Sequence, residues 1–373
     1  MAIGRLVLAA FLVVGAHSLL LGALPIYLAR QGAGPLLVGV AVGAYAISAG
    51  LLRLLAGSWL DRRSTGPLLR CAALLFATAH LGFAVLPVGW GLLAPRLVQG
   101  IAVFLFYTAS QAWLVRCGAP EEKGRRLGLF TAVSGLALIL MPAVGVAVLD
   151  SLGAQTLFLL CAGAALLSGL LAVEGRPEPA DSAPASMRDL LPAFAPLVLA
   201  GVTLGSLEAF LPAIAQRQGV SSLPPVYLAF GLALALGRLL GGASSDRLGR
   251  QPVALLGSLL MCVAFGLASE VRGALAVSAI ALVYGLGVGG LGTASLVGVS
   301  DRAGRARQGQ ALALAAFCLD LGLALGAASS GLLALARPGG MLWLMRWAAL
   351  LALISSALLG SPAARPMPAA QPS

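Results

Sequence analysis

The sequence predicts an all-α membrane protein of twelve transmembrane helices, arranged as two parallel six-helix repeats. Three observations carry that prediction. Of 373 residues, 60% are apolar and only 10% are charged, and mean hydropathy is +0.98, whereas soluble domains are about a quarter charged. Apolar runs of spanning length recur along the chain with short charged breaks. The polar landmarks of the first half return in the second.

The apolar runs place spans at 6–28, 36–58, 68–87, 91–112, 127–149, 154–173, 193–215, 224–245, 252–269, 274–298, 310–333 and 341–360. A barrel is excluded because strand-type alternation is absent, and lipid cannot satisfy any other open backbone. The first run is longer than a signal-peptide core and reads as a retained helix. The stretch 174–190, EGRPEPADSAPASMRDL, reads as a flexible linker between a six-helix half at 1–173 and another at 191–360. The Pro/Ala-rich tail 361–373 is expected to be disordered.

A net charge of +11 would suggest nucleic acid in a soluble protein. Here the basic residues sit singly or in pairs between apolar runs, which is the pattern of topology signals. With the amino terminus inside, sixteen of the 24 basic residues fall on cytoplasmic segments, four outside and four within spans. Both termini are therefore expected in the cytoplasm of a bacterial cell, with the chain multi-pass in the inner membrane. The five cysteines are scattered, so neither disulfides nor a metal site is expected, and no cofactor.

Arg53-x3-Gly57-x3-Asp61-Arg62 returns as Arg238-x3-Gly242-x3-Asp246-Arg247, an offset of 185. Leu24-Pro25 with Arg30-Gln31-Gly32 returns as Leu211-Pro212 with Arg217-Gln218-Gly219, an offset of 187. An even number of helices per unit makes the repeats parallel, with a cavity between them. Asp61 and Asp246 stand at helix carboxyl ends, where the macrodipole disfavours an anion. Each needs an outside partner, of a kind that could form and break as the halves move.

These landmarks resemble the major facilitator superfamily over essentially the whole chain. The second copy, Gly242 through Asp246, Arg247, Gly249 and Arg250, fits the signature loop in full; the first has Ser64 and Thr65 where the pattern has Gly and Arg. Arg96-x2-Gln99-Gly100 resembles a second family motif, whose arginine is tied to proton coupling. Gly135, Met141-Pro142 and Gly145 partly match the helix-packing motif of antiporters. The resemblance implies a secondary transporter that moves a small organic molecule by alternating access, with protons and the bilayer as its other partners, acting as a monomer.

Ionisable residues inside spans mark a pathway or a partner. Glu208 in span 7 reads as a proton carrier or as a structural carboxylate bonded to a neighbouring helix. Asp320 in span 11 admits the same two readings. Arg96 could hold an anionic substrate, tune a carboxylate or brace helices, and His17 could carry a proton or rest as a satisfied polar contact. In the resembling fold spans 1, 4, 7 and 10 line the cavity, which puts His17, Arg96 and Glu208 there. Arg53 and Arg238 read as snorkelling or bracing residues, and His80 and Arg346 as peripheral.

Nothing resembles an ATP-binding loop, a metallohydrolase or a nucleophile elbow, so no enzymatic activity is expected. The partial antiporter motif favours proton-driven export. A symporter of an organic anion or sugar, and a non-transporting scaffold or sensor, are the alternatives.

Overall fold

A computed structural model describes residues 2–55, 63–117, 123–175, 191–303, 308–336 and 340–358. The described residues are helical apart from turns and short loops. α1 is Ala2–Arg30, α2 Pro35–Leu55, α3 Thr65–Val85 and, after a short 3-10 turn, α4 Leu93–Arg116. Lys123–Leu170 is one helical run broken at Gly153, with φ 81 and ψ 167, into α5 (123–152) and α6 (154–170). The second half holds α7 Leu191–Arg217, α8 Pro224–Leu248, α9 Arg250–Leu267, α10 Gly273–Ala303, α11 Gln308–Ala336 and α12 Gly340–Leu358.

Ten of the described helices are long and apolar enough to cross a membrane. One of these, Arg125–Leu170, contains both α5 and α6, and Leu342–Ala357 in α12 is a shorter apolar helix. Each expected span thus meets a helix within a few residues of its bounds. The break expected between 149 and 154 is a single glycine rather than a loop. Gly153 takes a positive φ that side chains avoid, and it breaks the helical run there.

The bundle has a face that holds the start of α1 and the end of α12, here the terminal face, and an opposite far face. Both copies of Arg-Gln-Gly fold as the same helix ending at the far face. Gly32 and Gly219 have φ 77 and 76. Ala33 N–H donates to Leu28 O at 3.0 Å and Gly32 N–H to Ala29 O at 3.1 Å; Val220 N–H to Ala215 O and Gly219 N–H to Gln216 O repeat those distances. This paired ending satisfies carbonyls that a helix terminus leaves open and requires the left-handed residue that glycine supplies.

Packing repeats as well. In the first half α1 meets α5 where Gly22 lies on Pro142 and Gly145 on Leu19; in the second, α7 meets α11 where Gly205 lies on Leu323 and Gly326 on Val202. Gly100 of α4 lies on Tyr45 of α2, and Gly241 of α8 on Gly290 of α10. Lipid tails are as apolar as leucine, so association rests on close backbone approach rather than on leaving water. Small residues accordingly take the interfaces, while Leu232, Leu236, Leu239 and Leu240 of α8 point outward, exposed.

The two halves meet along two seams. One joins α2 to α11 and the other α5 to α8. Between them lies the interior to which α1, α4, α7 and α10 contribute.

Candidate functional site

The deepest charge of the first half is Arg96 on α4, 1% exposed. Its fork reaches α2: Nε donates to Ala41 O at 2.7 Å and Nη2 to Val42 O at 2.8 Å, while Nη1 donates to Gln99 Oε1 at 2.6 Å. Those carbonyls sit inside a helix, yet each has a second lone pair to offer. The guanidinium also lies 4.7 Å from the centre of the Tyr45 ring, in cation–π range. The His17 ring stands edge-on to Tyr45, with centres 4.7 Å apart. His17 Nδ1 is buried without a partner among the described residues. Bracing of α4 to α2 is therefore what the geometry displays for Arg96, with the guanidinium left as a fixed positive charge.

From the second half, α7 brings Glu208. Its Oε2 is buried and has no hydrogen-bond partner among the described residues. A lone buried carboxylate oxygen is costly. Arg96 and Asp320 are both within electrostatic reach of it, as are Tyr45, Tyr227 and Tyr284. Tyr284 is held by Thr203, with hydroxyls 3.0 Å apart. Tyr227 crosses between halves, donating to Gly22 O at 3.3 Å. Three tyrosines and the fixed charge of Arg96 thus lie within electrostatic reach of Glu208.

Asp320 on α11 has a partner that no single helix reveals. Arg53 Nε of α2 donates to Asp320 Oδ2 at 2.9 Å, with side chains 27% and 18% exposed. The same guanidinium lies 5.9 Å from the Phe104 ring centre. Arg53 is an inter-half ion-pair partner rather than a snorkelling residue, and the pair ties the seam together.

At the terminal face the signature loop of the second half closes on itself. Arg250 Nη1 donates to Asp246 Oδ1 at 2.5 Å and to Ser245 Oγ at 3.0 Å, and Nε to Asp301 Oδ2 of α10 at 2.9 Å. The partner that Asp246 needs at its helix end is therefore Arg250, one turn on, within the same half. Gly249, φ 90, ends α8 and opens α9. Gly242 has only Thr293 near it, 3.8 Å from where a Cβ would stand, and Arg247 ends α8 exposed. Gly57, Asp61 and Arg62 of the first copy lie outside the described residues, as do most of the 174–190 stretch and the tail 361–373.

Of the antiporter-like residues, Pro142 and Gly145 pack against α1 while Gly135 does not pack. Nothing lies within 4 Å of where its Cβ would stand. Peripheral assignments fare simply. His80 is buried, its Nδ1 2.7 Å from Phe76 O. Arg346 reaches Phe265 O at 2.9 Å and Ser269 Oγ at 2.6 Å, joining α12 to α9. Trp113 at the end of α4 donates from Nε1 to Glu174 O at 2.9 Å.

Comparison identifies the family. The chain belongs to the Major Facilitator Superfamily, whose profile matches residues 6–327 and 198–370. It is 32% identical over 121 residues to the methylenomycin A resistance protein of Streptomyces coelicolor, covering 32% of this chain and 25% of that protein. It is 27% identical over 168 residues to the multi-drug resistance efflux pump PmrA of Streptococcus pneumoniae, covering 44% of this chain and 42% of the pump. The match thus spans less than half of each of these relatives. Among solved structures, the nucleoside transporter NupG superposes with a TM-score of 0.76 at 13% identity, covering 96% of this chain and 98% of that one. That likeness is one of fold. Transporters of this superfamily carry small-molecule substrates across membranes, and this chain is a multi-pass member.

Proposed function

We propose that the protein exports a small organic molecule across the bacterial inner membrane in exchange for protons. The half at 1–173 would rock against the half at 191–360, with 174–190 as the cytoplasmic linker between them. Both chain ends then lie in the cytoplasm, as sixteen arginine and lysine positions against four favour. The observation that carries the reading is Glu208. Its buried, unpartnered oxygen sits opposite the fixed charge of Arg96 in a spanning helix, where a carboxylate is tolerated mainly for function. Such a group takes a proton when the site dries and gives it up when water or a cationic substrate arrives. Asp320 is already neutralised by Arg53, which leaves Glu208 as the exchanging acid. The resistance and efflux relatives support outward direction.

The test is metabolite profiling of cells and medium, comparing the native chain with Glu208→Gln at matched membrane levels. A compound enriched in the medium only with the native chain is the expected result. Enrichment inside the cells, or identical profiles for the two chains, overturns export driven through Glu208.

A further inference from the structure

The repeat places arginines at equivalent positions, and the two differ in their partners. Arg53 of α2 has Asp320. Arg238 of α8, 185 residues later, carries no ion pair or hydrogen bond among the described residues, with Tyr107 of α4 as the group in electrostatic reach. The same offset that carries Arg53 to Arg238 relates Asp320 to Gly135 of α5. The α5–α8 seam therefore has a glycine where the α2–α11 seam has a carboxylate.

Arg238 does not face lipid. It lies on the same side of α8 as Gly231, seven residues earlier, and Gly231 packs on Ile139 of α5, where an added Cβ would stand 2.8 Å from the Ile139 Cα. The outward leucines at 232, 236, 239 and 240 occupy the opposite side. Even so, Arg238 is exposed, so its exposure is to an opening within the protein. On the facing helix Thr131 is likewise exposed, on the other side of α5 from outward Leu129 and Leu136. Gly135, one turn along, has nothing within 4 Å. Beyond the Gly231–Ile139 contact, toward the terminal face, open Gly135 and exposed Thr131 and Arg238 border a gap between the two helices, with Tyr107 within electrostatic reach of Arg238. Among the described residues, the carboxylates Asp246 and Asp301 are committed to Arg250 and Glu174 to Arg70.

We infer that Arg238 and the gap opposite it form an anion-binding subsite, taking a carboxylate or phosphate group in the place that Asp320 fills at the other seam. A planar guanidinium with no acceptor among the described residues offers paired donors matched to such a group. The anion has two sources, an acidic group on the transported molecule or an anionic lipid headgroup entering between α5 and α8. The first source rests on the transporter reading above and narrows its substrates to organic anions or zwitterions.

The test measures thermal stability of the purified full chain. One arm adds benzoate in neutral detergent, with benzamide as the uncharged control. The other compares nanodiscs of phosphatidylcholine with and without phosphatidylglycerol. Native protein is expected to be stabilised by an anion and not by benzamide. Arg238→Gln is expected to weaken that affinity about ten- to a hundredfold, with Arg238→Lys in between. Gly135→Asp, which supplies the missing carboxylate from the chain itself, is expected to raise the melting temperature and remove the response to added anion. Stabilisation by benzoate assigns the subsite to substrate; stabilisation by phosphatidylglycerol alone assigns it to lipid. Absence of both responses in the native chain, or retention of either in Arg238→Gln within twofold, overturns the subsite. Binding is read without transport, so loss of export through Glu208→Gln and loss of anion binding through Arg238→Gln fail separately.

Discussion

The α2–α11 seam and the α5–α8 seam are related by the internal repeat, yet one is shut along its length and the other parts. On α2, Gly39 lies against Ala327, Gly43 against Ala324 and Gly50 against Phe317, and Arg53 then closes on Asp320. On α8, Gly231 lies against Ile139, and beyond it come exposed Arg238 and unpacked Gly135. Duplicated backbone geometry supplies both arginines, and the counter-charge decides what each does. A guanidinium paired across a seam holds two helices together in a medium where charges attract strongly. The same group, with no ion-pair partner among the described residues, leaves its seam without that closing contact.

The largest effect should come from breaking the closed seam. Asp320→Asn leaves Arg53 without its charge partner in a site only 27% exposed. Removing one member of a buried pair costs about 3–5 kcal/mol, and partial water access lowers this to about 2–4 kcal/mol. The double change Arg53→Gln with Asp320→Asn should recover most of the loss, because two neutral amides leave no uncompensated charge. Thermal unfolding in detergent separates the cases. If the single and double variants melt together, the pair does not hold the seam.

A second break is steric rather than electrostatic. Alanine at Gly43 would set a methyl 2.9 Å from Ala324 Cα and 3.0 Å from its carbonyl oxygen. Backbone cannot yield as a side chain can, so the helices must separate, at about 1–3 kcal/mol for overpacking of this kind. Gly43→Ala should lower the melting temperature and leave Arg53 and Asp320 less firmly paired. A melting temperature equal to the native one would mean that the contact between α2 and α11 is looser than its glycines suggest.

How much of this could be read from the sequence depends on what enforces each feature. Lipid enforces the spans, since every backbone group must bond within its own helix, so hydropathy gives the twelve helices and even the reversal at 153. The twin Arg-Gln-Gly endings are legible because a positive φ selects glycine in both copies. Side-chain partners are another matter. Arg53 and Asp320 are 267 residues apart, and their meeting follows from which face of α2 turns to α11, which periodicity within one helix does not encode. Arg96 shows the same limit: its motif marks it as important, but only the packing of α4 on α2 reveals that Ala41 and Val42 take its donors. The motif groups Gly135 with Pro142 and Gly145, and the structure separates them: Pro142 and Gly145 meet α1, while nothing stands within 4 Å of a Cβ at Gly135.

The smallest effect expected falls at the open seam, and it sharpens the contrast most directly. Gly135→Ala places a methyl where nothing stands within 4 Å, in the body of a helix whose glycine is not in the left-handed region. No clash opposes it, and alanine gives up less backbone freedom than glycine, a gain of at most about 1 kcal/mol. Gly135→Ala should therefore melt at or slightly above the native temperature, opposite in sign to Gly43→Ala by the same assay. The methyl is also too small to fill the space facing Arg238, so stabilisation by added anion should persist. A destabilised Gly135→Ala would mean that α5 and α8 close upon each other at this level in the folded population, and the two seams would then be alike.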